Sequence, residues 1–108
     1  HIPHIQWMPE AKGSRSSRWL SILTLSSYSE VLKNAIINKF AEENIETRPV
    51  WKPMHLQPLY QSNDFFSVNN NGPVSKNLFN RGICLPSGSS LSEKEQSRIV
   101  AIINSFFS

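Results

Sequence analysis

A chain of 108 residues makes one domain, spanning positions 1–108, and can bury roughly 60–68% of the surface its unfolded form exposes, so a real hydrophobic core is within reach. Hydrophobic residues at 39% and charged residues at 18% exclude the compositional class of disordered chains. The formal net charge is +3, yet Lys12, Arg15 and Arg18 form the one loose basic cluster, so nucleic acid is not an expected partner while an anionic small ligand is allowed.

In chain order, "IQWM" (Ile5 to Met8) reads as an edge strand, followed by the polar, glycine-containing "PEAKGSRSS". "RWLSILTL" (Arg18 to Leu25) carries apolar residues on both alternating faces, Leu20 and Ile22 on one, Trp19, Leu23 and Leu25 on the other. That suits a strand covered on both sides and paired with the first in a long-looped hairpin. Ser29 offers a helix N-cap, and Val31, Leu32, Ala35, Ile36, Phe40 and Ala41 recur at three and four residues, predicting an amphipathic helix that ends near Asn44. In "IETRPVW", Pro49 cannot donate a ladder hydrogen bond, which places this short strand at a sheet edge.

Asn69 to Pro73, "NNNGP", predicts a turn or mobile loop, and Val74, Leu78 and Phe79 predict a short helix closed by Gly82. "ICLP" gives a last strand, in which Cys84 reads as a small buried residue rather than a reactive thiol. As the only cysteine it excludes an internal disulfide and fits a reducing compartment. "SEKEQ" from Ser92 is a capping box with Glu95 three residues on, and its helix carries Ile99, Val100, Ile102, Ile103 and Phe106 to the end of the chain. The composition is α/β of the α+β type: a small, largely antiparallel sheet with helices packed on it. No apolar run approaches the ~18 residues of a membrane span and no secretory leader pattern or glycosylation sequon appears, so the expectation is a cytoplasmic protein with no membrane partner.

Catalytic chemistry is not visible in the spacing. His1 and His4 have no cysteine or acidic cluster to complete a metal site, so no metal ligand is assigned. "SGSS" (Ser87 to Ser90) lacks the order of a nucleophile elbow and reads as a turn into the capped helix. Asp64 is the only aspartate, and no phosphate or dinucleotide glycine loop occurs; no catalytic residue is assigned.

The distinctive stretch is "RPVWKPMHLQP", Arg48 to Pro58. Its three prolines stiffen the loop and bias the preceding residues toward extended backbone. Such a loop can aim side chains: Arg48 and Lys52 at phosphate or carboxylate, Trp51 as a flat apolar wall, His55 as a hydrogen-bonding group. The rival reading puts Trp51 and Met54 in the core, pairs Arg48 with an acid and leaves His55 satisfying local backbone. The residues alone leave both open.

"IETRPVWKPMHLQPLY", with "RWLSILTL" and its helix upstream and "LFNRGICLPSGSSLSEKEQSRIVAII" downstream, resembles the carboxy-terminal part of DegT-family sugar-nucleotide aminotransferases, in order from about Trp7 to Phe106. The resemblance implies the small domain of a pyridoxal-phosphate enzyme of the aspartate-aminotransferase fold, one that transfers an amino group to a keto sugar carried on a nucleotide diphosphate. It also implies that the cofactor sits as a Schiff base on a lysine of a large amino-terminal domain. Lys12, Lys33, Lys39, Lys52, Lys76 and Lys94 match nothing of that segment, so the expectation is a carboxy-terminal fragment that binds no cofactor and is inactive alone. The partners implied are the missing large domain, a nucleotide-diphosphate sugar and a second copy in a homodimer. By the same resemblance His55 and Lys52 face the sugar or its diphosphate, with Trp51 and Arg48 shaping the wall. The competing function is a stand-alone nucleotide-sugar or partner-binding module without catalysis.

Overall fold

The computed structural model describes residues 2–27, 29–68 and 72–108, and its sheet is organised around the four residues that follow the short second helix. The elements run β1 (Ile5–Trp7), β2 (Ser21–Leu25), α1 (Glu30–Glu42), β3 (Arg48–Pro49), α2 (Val74–Arg81), β4 (Gly82–Leu85) and α3 (Glu93–Ser105). All pairings are antiparallel and the strand order is β1-β2-β4-β3. The expected α+β architecture, the β1–β2 hairpin and the edge position of the proline-bearing β3 are therefore all present.

Strand alternation decides the core. Ile5, Leu23, Leu25, Ile83 and Leu85 join Ile36 and Phe40 of α1 and Ile99, Ile102 and Ile103 of α3 in one buried cluster. Phe40 is wholly enclosed at 0% exposure. β4 is buried along its whole length, Cys84 included, and burial pushes that thiol's pKa up against the opposing pull of Lys33.

The caps explain where the helices stop. Ser29 accepts a hydrogen bond from Leu32 N–H at 3.2 Å to open α1. At the other end Asn44 takes a left-handed φ of 56°, with Asn44 N–H on Ala41 O at 3.0 Å and Ile45 N–H on Phe40 O at 2.9 Å. This is a Schellman closure, with Ile45 folding back against the core. Ser92 and Glu95 form the expected reciprocal capping box of α3.

Several expectations change. The second strand begins at Ser21, not Arg18, because Arg18 adopts φ 51° and the chain bends at Trp19 and Leu20. Trp19 consequently leaves the Leu23 and Leu25 face and stands 76% exposed. In α1 the buried stripe is Lys33, Ile36 and Phe40, while Val31 and Ala41 face solvent; Val100 of α3 does as well. Lys33 takes a core position because its ammonium donates to Phe79 O at 2.5 Å, one of the carbonyls left open at the end of α2, and lies over the Phe79 ring. Its desolvation lowers the lysine pKa. Asn69 to Asn71 of the "NNNGP" turn, and His1, lie outside the described residues.

Gly82 closes α2 as expected, but in extended backbone (φ −92°, ψ 143°) rather than a left-handed cap. A Cβ there would sit 2.4 Å from Val50 Cγ2 and 2.6 Å from Leu78 O. Gly82→Ala is expected to destabilise the fold by about 1–3 kcal/mol, the usual cost of overpacking, read as a lowered urea midpoint.

Glu43 ties the two long helices: its carboxylate meets Lys39 Nζ at 3.0 Å and Arg98 Nη2 at 3.6 Å, and Arg98 also donates to Glu43 O at 3.0 Å. The Lys39 hydrogen bond and charge, then Arg98, hold this carboxyl below its ordinary pKa of 4.5. An acid with a depressed folded pKa stabilises above its unfolded value and loses that contribution as pH falls through the folded one. The urea midpoint is therefore expected to decline as pH drops below about 5, with a shallower slope in Glu43→Gln.

Candidate functional site

Beyond β3 the proline loop folds into two single 3-10 turns, Met54–Leu56 and Pro58–Tyr60, with Pro53 as the N-cap of the first and Pro58 opening the second. Leu56 N–H on Pro53 O and Tyr60 N–H on Gln57 O, both at 3.0 Å, close the turns. The Gln57 side-chain amide donates to Lys52 O at 3.3 Å and touches Met54 Sδ at 3.7 Å, fastening the loop to itself. The sequence reading of a stiff, side-chain-presenting loop thus has a structural counterpart.

The four residues expected at the site do not gather in one place. Arg48 and Trp51 line a groove of 810 Å³, together with Trp19, Cys84, Ser87 and Arg98, at the β3 edge of the sheet beside the first turns of α3. Lys52 and His55 are outside it. Arg48 is spent locally, its guanidinium bonded to Glu46 Oε1 at 2.7 Å from Nε and 2.5 Å from Nη2. Lys52 is exposed and makes no ion pair among the described residues. The His55 ring stacks on Phe65 with centroids 3.9 Å apart, and its Nε2 is enclosed without a hydrogen-bond partner among the described residues. The rival reading of the loop was therefore right about Arg48, which pairs with an acid. Trp51, at 60% exposure, and Met54, at 57%, do not belong to the core.

Sequence reasoning missed Trp19. Its indole centroid lies 6.0 Å from that of Trp51 with the planes tilted by 36°, and both residues line the groove. Ser87, in the loop leading to the α3 cap, donates from Oγ to Trp19 O at 2.7 Å. The signal was topological: with Ser21 opposite Leu85 and Arg48 opposite Cys84, extending the register brings Trp19 toward Ser87 and the β3 edge. The other charged groups here are also engaged, Arg98 with Glu43 and Glu95 with the backbone of Ser92. Among the described residues, no group of three His, Cys, Asp or Glu side chains could hold a metal ion, and no helix is long and apolar enough to cross a membrane.

A sequence profile of the DegT/DnrJ/EryC1/StrS aminotransferase family matches residues 1–104. The Bacillus subtilis (strain 168) protein EpsN, whose name describes a pyridoxal phosphate-dependent aminotransferase, is 44% identical over 107 residues, 99% of this chain and 27% of that protein. GDP-perosamine synthase of Escherichia coli O157:H7 is 34% identical over 105 residues, 96% of this chain and 27% of the relative. Among solved structures, a DegT DnrJ EryC1 StrS aminotransferase from Brucella abortus superposes with a TM-score of 0.74 at 25% identity, over 96% of this chain and 26% of that one. The chain thus spans about a quarter of the length of the curated relatives it matches.

The groove lining does not fit a lysine-held pyridoxal phosphate. The groove contains no lysine, the buried Lys33 is committed to the Phe79 carbonyl, and Asp64 is exposed and outside the groove. The exposure of Trp51 carries its own consequence: Trp51→Ala is expected to change stability by less than about 1 kcal/mol, as for other surface substitutions, rather than by the several expected of a buried ring. Thermal melts of the two proteins check this.

Proposed function

Because the chain belongs to the DegT/DnrJ/EryC1/StrS aminotransferase family, we propose that it serves as the small-domain portion of an enzyme that moves an amino group onto a keto sugar carried by a nucleotide diphosphate. The observation that carries this reading is the loop after β3. A proline-stiffened frame holds Lys52, an ammonium with no ion pair among the described residues, three residues from an imidazole, His55, whose Nε2 has no hydrogen-bond partner among them. Buried polar atoms without partners are uncommon and are costly to keep. A nucleoside diphosphate also stands in the name of one relative, GDP-perosamine synthase.

In this reading pyridoxal phosphate supplies the amino-group chemistry from the larger part of the enzyme, outside these residues. The work of this chain is positioning. Lys52 screens the diphosphate charge, His55 Nε2 takes a hydrogen bond with the sugar once the Phe65 ring yields, and Arg48 stiffens the wall through its Glu46 pair. The reading includes a cytoplasmic location and a homodimeric parent enzyme. Holding the reacting sugar in place lowers the barrier without any proton transfer by these side chains.

The test uses the full-length polypeptide that carries these residues. Lys52→Ala and His55→Ala are each expected to lower kcat/KM for amination by about tenfold to a hundredfold, the scale of one charge-assisted hydrogen bond, with cofactor content unchanged. Wild-type amination in both variants would reduce the loop to scaffold. Absence of any amination by the full-length protein, with nucleotide-sugar binding retained, would favour a binding module.

A further inference from the structure

The two stacked rings beside the proline loop stand on unlike supports. His55 lies in the turn Met54–Leu56, which Pro53 caps and which Leu56 N–H on Pro53 O closes at 3.0 Å. The Gln57 amide on Lys52 O braces it further. Phe65 comes instead from residues 61–68, which follow the second turn and enter no helix or strand. Every residue of this strap is exposed, and its start is tied by Asn63 N–H on Tyr60 O at 3.1 Å. Phe66, at 87% exposure, does not pack the strap down. Of the two rings, Phe65 is therefore the one placed to move.

Phe65 as it lies is a cover. Its ring is 3.9 Å from the imidazole, centroid to centroid, with the planes 26° apart, and Nε2 is enclosed with no hydrogen-bond partner among the described residues. Enclosing a polar nitrogen unpaired is unfavourable, and stacking offsets only part of that cost. The covered state is thus close in energy to one in which the ring swings away and Nε2 meets water or a ligand. A ligand that bonds Nε2 binds the uncovered state alone and draws the population towards it.

We propose that residues 61–68 form a gate over His55: Phe65 covers Nε2 while the site is empty and swings off it when a polar group of the ligand arrives. This rests on the reading of His55 as a substrate-positioning residue and adds the control of that residue. The resting site is closed by an aromatic ring of the chain itself, so a ligand must replace the lost stacking with a hydrogen bond to Nε2. A molecule of the same shape with no polar group at that point gains nothing from opening the gate.

The test measures deuterium exchange at the His55 Cε1–H in the full-length polypeptide, read from the mass of the peptide that holds it. This exchange needs both ring nitrogens open to solvent and is slow beside loop motion, so its rate follows the fraction of time the gate is open. Wild-type exchange is expected to be roughly tenfold to hundredfold slower than in the urea-unfolded chain, matching an open state populated at about 1–10%. Phe65→Ala should remove most of that protection, and Phe65→Tyr should restore it because its ring stacks in the same way. Phe66→Ala, which deletes the neighbouring ring, should exchange at the wild-type rate. Both phenylalanines are exposed and outside the core cluster, so the variants should keep the wild-type urea midpoint. Equal exchange in wild type and Phe65→Ala, whether fast or slow, overturns the gate. A Phe66→Ala effect as large as that of Phe65→Ala does so too, as does a complete absence of wild-type exchange, which marks a fixed cover. No ligand enters this measurement, so the substrate reading is judged apart from it. Wild-type amination by His55→Ala sinks the positioning role and spares the gate, whereas impaired amination together with equal exchange sinks the gate alone.

Discussion

The structure depends on β4 being buried along its whole length between two antiparallel neighbours. Four residues with no exposed face leave no room for a polar side chain, and at the first of them no room for a side chain at all, since Val50 and the Leu78 carbonyl occupy the place of a Cβ on Gly82. Once Gly82 ends α2 and starts the strand without a loop, the pairings of Leu23 with Ile83 and Pro49 with Ile83 follow from register. Those pairings put the beginning of β3 next to the end of β4. The groove and the start of α3 meet there, while the proline loop leaves β3 beside the start of β4, where Val50 N–H bonds Gly82 O.

Much of this could be read from the residues because it is governed by local rules. Ser29, Asn44, Ser92 and Glu95 occupy cap positions whose chemistry depends on a few neighbouring backbone groups. Pro49 marks an edge because a missing donor is intolerable in the middle of a sheet. What escaped the sequence depended on contacts distant along the chain. Lys33 looks like a solvent-facing position of a helix until the open carbonyl at the end of α2, 46 residues later, gives its ammonium a buried partner. Trp19 looks like a core residue until the left-handed Arg18 turns it out, and nothing in "SSRWLS" announces that turn.

The candidate site shows the same division. The stiffness of "RPVWKPMHLQP" was legible, because proline acts on its own φ and on the residue before it. The grouping of its side chains was not. Arg48 and Trp51 line the groove and Lys52 and His55 do not. The partner of His55, Phe65, lies in a stretch of exposed residues with no periodic pattern, so no sequence rule would have stacked the two rings.

Charge is distributed with a consequence for recognition. Glu43 and Glu46 flank the short link between α1 and β3, and each neutralises an arginine that would otherwise face the groove. An exposed ion pair adds little to stability, often less than about 1 kcal/mol, so these pairs matter more for the field they cancel than for the energy they contribute. With the arginines answered, the groove presents aromatic surface rather than positive potential.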